Sequence, residues 1–186
     1  MKGKINNLEI DIKKLKEKSE DEFEKFFKSY LNRIYTVVYR VVKNPATAED
    51  LTSEVMMKVY NNIHKFKEQS QLSSWVYRIA YNHAVSHLRS HKHPESIEDY
   101  HTKIEDSSPG HLAHLEREEV SNYIKEKLME LPEKYRMAIT LYHFKELSYK
   151  EIAYTMGINI ETVKTYIHRG RNELKVLLEE VIREER

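Results

Sequence analysis

Apolar residues recur along this chain at three- and four-residue steps, and nowhere in sustained alternation. That period belongs to the α-helix, so an all-α fold is expected. From Asp21 to Val42, the residues Phe23, Phe26, Phe27, Tyr30, Ile34, Val37, Val38 and Val41 keep helical spacing. Asn44-Pro45 closes that run, because proline lacks an amide proton and crowds the turn before it. Thr47 is placed to cap the next helix, which turns Leu51, Val55, Val59 and Ile63 inward at four-residue steps. A polar loop, Lys65 to Ser73, precedes a long helix from Ser74 to His91. Its apolar face is Trp75, Val76, Ile79, Ala80, Ala84 and Leu88. Upstream, Ile5, Leu8, Ile12 and Leu15 form one further stripe, a helical extension over residues 1–20 that is either a short extra helix or a partner-binding segment.

The period is lost over residues 93–117, where Pro94, Pro109-Gly110, serines and acids gather. This stretch is expected to be a flexible linker and domain boundary. Two small helical domains follow from it, residues 21–92 and 118–186. In the second, Val120, Tyr123, Ile124, Leu128 and Leu131 make one stripe. Pro132 opens a helix that carries Ile139, Leu141, Tyr142 and Phe144.

Leu147 to Leu178 is the most informative stretch. Ser148 and Glu151 have capping-box spacing. The helix they open buries Ile152, Ala153 and Met156, and Gly157 ends it with the left-handed conformation that side chains resist. Ile158 is expected to be buried in the turn. Asn159 caps a second helix whose inner face is Val163, Ile167 and Leu174. This is the pattern of a helix-turn-helix unit with the second helix as reader. Its outward face holds Lys164, Thr165, His168, Arg169 and Arg171, side chains suited to phosphates and to the acceptor edge of guanine.

Charge sharpens the division. The chain carries only +1 overall, but residues 1–92 hold 17 Lys and Arg against 11 Asp and Glu, residues 93–117 hold 2 against 6, and residues 118–186 hold 12 against 13. A basic first half joined through an acidic connector suits a polyanion partner, with an ordinary solvated charged surface as the alternative on charge alone. The absence of cysteine excludes disulfides, thiolate metal sites and cysteine nucleophiles. Met1 to Lys18 is too charged for a signal peptide, and no run of 18 apolar residues occurs. A soluble, cytoplasmic protein without membrane insertion is expected. No phosphate-binding glycine loop or Ser-Gly nucleophile motif points to an enzyme, and no cofactor is implied. His83, His87 and His91 stand four apart, a spacing that can bind divalent ions or add protonatable contacts to phosphate.

Several segments resemble the bacterial RNA polymerase sigma factors of the sigma-70 family, extracytoplasmic-function (ECF) subfamily. Leu131-Pro132-Glu133-Lys134-Tyr135-Arg136, Leu147 through Ala153, Thr162-Val163-Lys164-Thr165 and His168-Arg169-Gly170-Arg171 resemble region 4. Ala48-Glu49-Asp50-Leu51 with Val59-Tyr60 resembles region 2.2. Phe66 through Asn82 resembles regions 2.3 and 2.4. The resemblance covers residues 21–92 and 118–178.

It implies a promoter-reading subunit of RNA polymerase. Glu49, Asp50, Ser53, Glu54, Met56 and Tyr60 fall where the family docks on the clamp helices of the largest subunit, with core packing as the alternative for Met56 and Tyr60. Ser70 and Gln71 lie in the loop that in the family holds a base flipped from the −10 non-template strand. Arg78 and Asn82 follow on the helix facing that strand. Trp75 stands at the family's aromatic melting position, with packing under the loop as the alternative. Lys164, Thr165, His168 and Arg169 would read the −35 duplex, and Arg171 would hold phosphate. The flap of the second-largest subunit and an anti-sigma factor are further implied partners. Two departures stand out: Ser53 replaces a usual glutamine, and Tyr166 a frequent arginine. A free-standing helix-turn-helix regulator is the competing reading, and it leaves the 48–60 face and the 66–82 loop without a use.

Overall fold

The computed structural model describes residues 10–91 and 122–184, with side chains as far as residue 179. Every regular element among them is helical. They are α1 (Ile12–Lys16), α2 (Glu20–Val42), α3 (Pro45–Asn62) with a 3₁₀ turn (Ile63–Lys65), α4 (Leu72–Ser90), α5 (residues 122–130), α6 (Glu133–Ile139) running into a π turn (Thr140–Phe144), α7 (Tyr149–Met156) and α8 (Ile160–Glu184). The chain forms two compact units: α1 to α4 lie in the first, and α5, α6, α8 and the start of α7 in the second. The expected linker over 93–117, together with Ile5, Leu8 and Val120, lies outside the described residues.

In the first unit α2, α3 and α4 pack pairwise into a three-helix bundle. The stripe predicted for α3 and most of that predicted for α2 are its core; Phe27, at the edge of the α2 stripe, is 49% exposed, and Phe23 is half-buried. Phe26, Ile34, Val37 and Val38 come from α2, and Leu51, Val55 and Val59 from α3, with Ile63 in the turn that follows. From α4 come Val76, Ala80 and Ala84, and the two alanines leave room for close approach. Trp75, Ile79 and Leu88 are only half-buried, while Tyr77 and Tyr81 are buried. The long bundle therefore rotates α4 slightly from its expected face.

Capping differs from expectation at one place. Asn44, not Thr47, caps α3: Asn44 Oδ1 accepts the Thr47 amide at 2.9 Å, and Pro45 occupies the first helical position. Proline there has no amide proton to leave unsatisfied. The preceding α2 ends on Lys43 at φ 61°, whose amide reaches Tyr39 O at 2.9 Å.

In the second unit α6 packs against α8. Leu128, Leu131 and Ile139 form a buried cluster, joined at its margin by Leu174 and Leu177. Gly170 sits where the two helices cross. A Cβ there would stand 2.7 Å from Ile139 Cδ1 and 3.0 Å from Tyr135 Cβ. Alanine is the better helix former by about 1 kcal/mol, but Ile139 is itself buried and cannot swing aside. Gly170→Ala is therefore expected to cost a net 1–2 kcal/mol, at the lower end of the ~1–3 kcal/mol typical of overpacked cores. A lowered denaturant midpoint with unchanged slope would report it.

Candidate functional site

The candidate residues fall on three surfaces. The first is the outer arc of α3. Glu49, Asp50, Ser53 and Glu54 are exposed, and Tyr60 is 38% exposed. Tyr60 meets Phe23 edge-on at 4.7 Å, and Lys18 Nζ lies 4.4 Å over its ring. Met56 faces the core at 8% exposure, so the packing alternative describes it, and its neighbour Met57 is the exposed one at 61%. At 100° per residue Met57 falls between Ser53 and Asp50 in the exposed arc. Spacing alone could have found it, since it stands four residues after Ser53. The Glu54 carboxylate is tied to α4, where His83 Nε2 lies 2.6 Å from Glu54 Oε2 and His83 Nδ1 2.6 Å from Lys58 Nζ.

The second surface is the loop after the 3₁₀ turn, with α4. Gln71, Trp75, Arg78 and Asn82 share one helical face by their four- and three-residue steps. Gln71 and Asn82 are exposed, and Ser70, Trp75 and Arg78 are half-buried. Phe66 is buried, with its ring 5.4 Å from that of Trp75. Trp75 thus packs under the loop while keeping one part of its ring open. Glu68 holds a left-handed conformation at φ 58°, which side-chained residues adopt only when their surroundings insist.

The third surface is the α7–α8 motif. Ser148 and Glu151 form the expected capping box: Glu151 Oε2 accepts the Ser148 amide at 2.8 Å, and the Glu151 amide reaches Ser148 Oγ at 3.4 Å. Gly157 turns at φ 67°, and Asn159 Oδ1 accepts the Thr162 amide at 2.7 Å. Ile158 is half-buried rather than buried; its amide donates to Ala153 O at 3.1 Å. Val163 and Ile167 are buried, so Lys164, Thr165, His168, Arg169 and Arg171 all face solvent.

Three of these outward side chains have partners within the unit. Lys164 Nζ pairs with Glu161 Oε1 at 2.8 Å, which raises the lysine's pKa. The Tyr135 hydroxyl beside Arg169 raises the arginine's pKa. Arg171 donates to His143 Nε2 from Nη2 at 3.1 Å and from Nε at 3.3 Å, and its guanidinium lies 5.3 Å from the Tyr142 ring centre. Tyr166 packs edge-on against Tyr135 at 5.5 Å with Lys134 above both rings. This gives that departure from the family pattern a packing reason. Tyr135 and His143 were missed because each lies more than 25 residues from the arginine it holds.

The histidine row does not converge. His83 is engaged with Glu54 and Lys58, while His87 and His91 stack at 4.0 Å. Among the described residues no group of three His, Cys, Asp or Glu is arranged to hold a metal ion. Nor is any described helix long and apolar enough to cross a membrane.

Comparison with known proteins agrees with this geometry. The Sigma-70 region 2 family matches residues 26–93, and the Sigma-70 region 4 family matches residues 121–174. The first match spans the α3 and α4 surfaces and the second the helix-turn-helix. Together they define a transcription-initiation factor that directs RNA polymerase to promoters, and they remove the free-standing regulator. The chain is 34% identical to the ECF RNA polymerase sigma factor SigW of Bacillus subtilis, over 91% of this chain and 96% of that one. It is 30% identical to SigM of the same organism, over 87% and 98%. Its fold is similar to that of the sigma factor RpoE of Bartonella quintana, solved in complex with the anti-sigma factor NepR, with a TM-score of 0.68 at 24% identity, covering 86% of this chain and 98% of that one. The chain belongs to the ECF subfamily of the sigma-70 family.

The His143–Arg171 contact makes the reader helix sensitive to acid. Burial, and then the Arg171 guanidinium, hold the His143 pKa below the ordinary imidazole value. Protonation would remove the acceptor and set two cations together. Because the folded value lies below the unfolded one, the stabilisation is complete above about pH 6.5 and is lost as pH falls through the lowered value. His143→Gln keeps an acceptor and does not titrate. Its unfolding free energy should therefore fall less steeply on acidification than that of the unaltered protein, as followed by urea melts at a series of pH values.

Proposed function

We propose that the two units divide promoter recognition between them. The first, residues 21–92, docks on the clamp helices of the polymerase's largest subunit and captures unpaired bases of the −10 element. The second, residues 118–186, reads the −35 element as duplex and contacts the flap of the second-largest subunit. The observation that carries this reading is the row Gln71, Trp75, Arg78 and Asn82 on one face of α4, beside a loop held in a strained conformation. A flat phosphate-binding patch would need cations only. This row offers an amide, an aromatic face, a guanidinium and a second amide, which suits a single strand whose bases are turned outward.

Glu49, Asp50, Ser53 and Glu54, with Tyr60 and Met57 between them in the arc, give an acidic and partly apolar face. Such a face suits a basic helical partner. On α8, Lys164, Thr165, His168 and Arg169 approach base edges in the major groove, and Arg171 holds phosphate. The cations themselves are solvent-exposed and their internal contacts weak, so phosphate can replace those contacts at little cost. An anti-sigma factor is a further partner, supported by the likeness to the RpoE of the RpoE–NepR complex. The protein acts by binding, without catalysis, in the cytoplasm where the polymerase works.

DNA stacking averages about 1.4 kcal/mol per step, so opening several pairs exceeds what so small a protein gains from binding a few bases. No promoter opening is expected without core polymerase. In-vitro transcription with core polymerase on genomic fragments, with start sites mapped, tests the whole reading and yields both promoter elements. Asn82→Ala should lower the response to −10 sequence. Arg169→Ala should weaken −35 recognition about tenfold, within the ~1–3 kcal/mol of a base-edge contact. Full transcription from every cognate promoter after either change would remove that residue from the interface.

A further inference from the structure

The short helix α1 lies outside both family matches, yet it is built into the first unit. Leu15 is fully buried, and α1 packs against both α2 and the 3₁₀ turn that leads into the loop. Its entry is pinned from below, since the buried Glu22 accepts the Asp11 amide at 2.8 Å and pairs with Lys25 at 3.2 Å. Its exit is a left-handed turn at Lys18, φ 59°. Between these points Lys16 reaches across the start of the loop. Its ammonium pairs with Glu68 and lies 5.8 Å from the centre of the Phe66 ring. Phe66 in turn contacts Trp75, and Glu68 is the loop's strained residue.

We infer that α1 is the positioning element of the −10 loop, with Lys16 as its positioning residue, acting through Glu68 and Phe66. The inference rests on the assignment of that loop to strand capture. An ion pair holds the side chain of Glu68, and thereby the left-handed backbone that sets the direction of Gln69, Ser70 and Gln71. A loop prepared in this way spends less of its binding energy on ordering when a base arrives. Lys16 touches no DNA in this arrangement; its effect is on the shape of what does.

The test uses the full-length chain. Trp75 is the only tryptophan and sits beside Phe66, so acrylamide quenching of its fluorescence reports the loop directly. Lys16→Ala should make Trp75 more accessible to quencher at an unchanged melting temperature. With core polymerase, on promoters recovered from genomic fragments, the same variant should lose about fivefold in discrimination between matched and singly substituted −10 elements, the scale of one exposed ion pair with a cation–π contact. Affinity for core polymerase should not change. Lys16→Glu should be at least as defective, and Lys16→Glu combined with Glu68→Lys should recover both readouts. Unchanged quenching and discrimination in Lys16→Ala overturn the inference, as does a gain in −10 affinity, which would make α1 a cover rather than a support. Asn82→Ala separates the two levels. If it alters −10 response while Lys16→Ala does not, strand capture stands and the positioning role falls. If neither alters it, both fall.

Discussion

A helix that gives one stripe of side chains to a core has only the remaining arc for recognition, and every surface described above works within that constraint. On α3 the four-residue ladder Leu51, Val55 and Val59 consumes the inner side, so the acids and Tyr60 have one arc in which to stand. On α4 the buried Val76, Ala80 and Ala84 leave Gln71, Trp75, Arg78 and Asn82 on the opposite side. On α8 Val163, Ile167 and Gly170 face inward, and the basic side chains are what is left. Core and interface are thus two readings of the same period, and a one-residue shift in either would move both.

Electrostatics adds a second layer. Four of the candidate recognition side chains have internal partners: Lys164 has Glu161, Arg169 has Tyr135, Arg171 has His143, and Glu54 has His83. Contacts made by such solvent-exposed charges are weak. They are too weak to compete with a phosphate, and strong enough to limit the rotamers that a long side chain explores.

Much of this was legible in the chain itself. The α3 stripe, most of the α2 stripe, the capping box at Ser148, the left-handed Gly157 and the Asn159 cap all follow from local rules of period and backbone geometry and stand as expected, whereas Phe27 at the margin of the α2 stripe is exposed. The departures from expectation have both local and tertiary causes. Asn44 rather than Thr47 caps α3 because proline at the first helical position shifts the start upstream. Met56 turns inward and Met57 outward because two adjacent methionines straddle the edge of the buried stripe, where hydrophobicity cannot choose between them. Tyr166, a departure from the family pattern, acquires its reason only from Tyr135, a residue of another helix.

What the amino-acid order determined alone is the set of elements and their faces: helices everywhere, two groups of them, an acidic arc, a polar loop and a basic reader. Those follow from interactions within a few residues, whose geometry is the same in every helix. What the tertiary structure alone decided is which side chains hold one another across elements: His143 behind Arg171, Tyr135 behind Arg169, His83 between α3 and α4, and Lys16 over Phe66. These pairs join residues from 25 to 50 positions apart, a separation that the periodicity of either partner does not encode, and only packing within each unit brings them within reach.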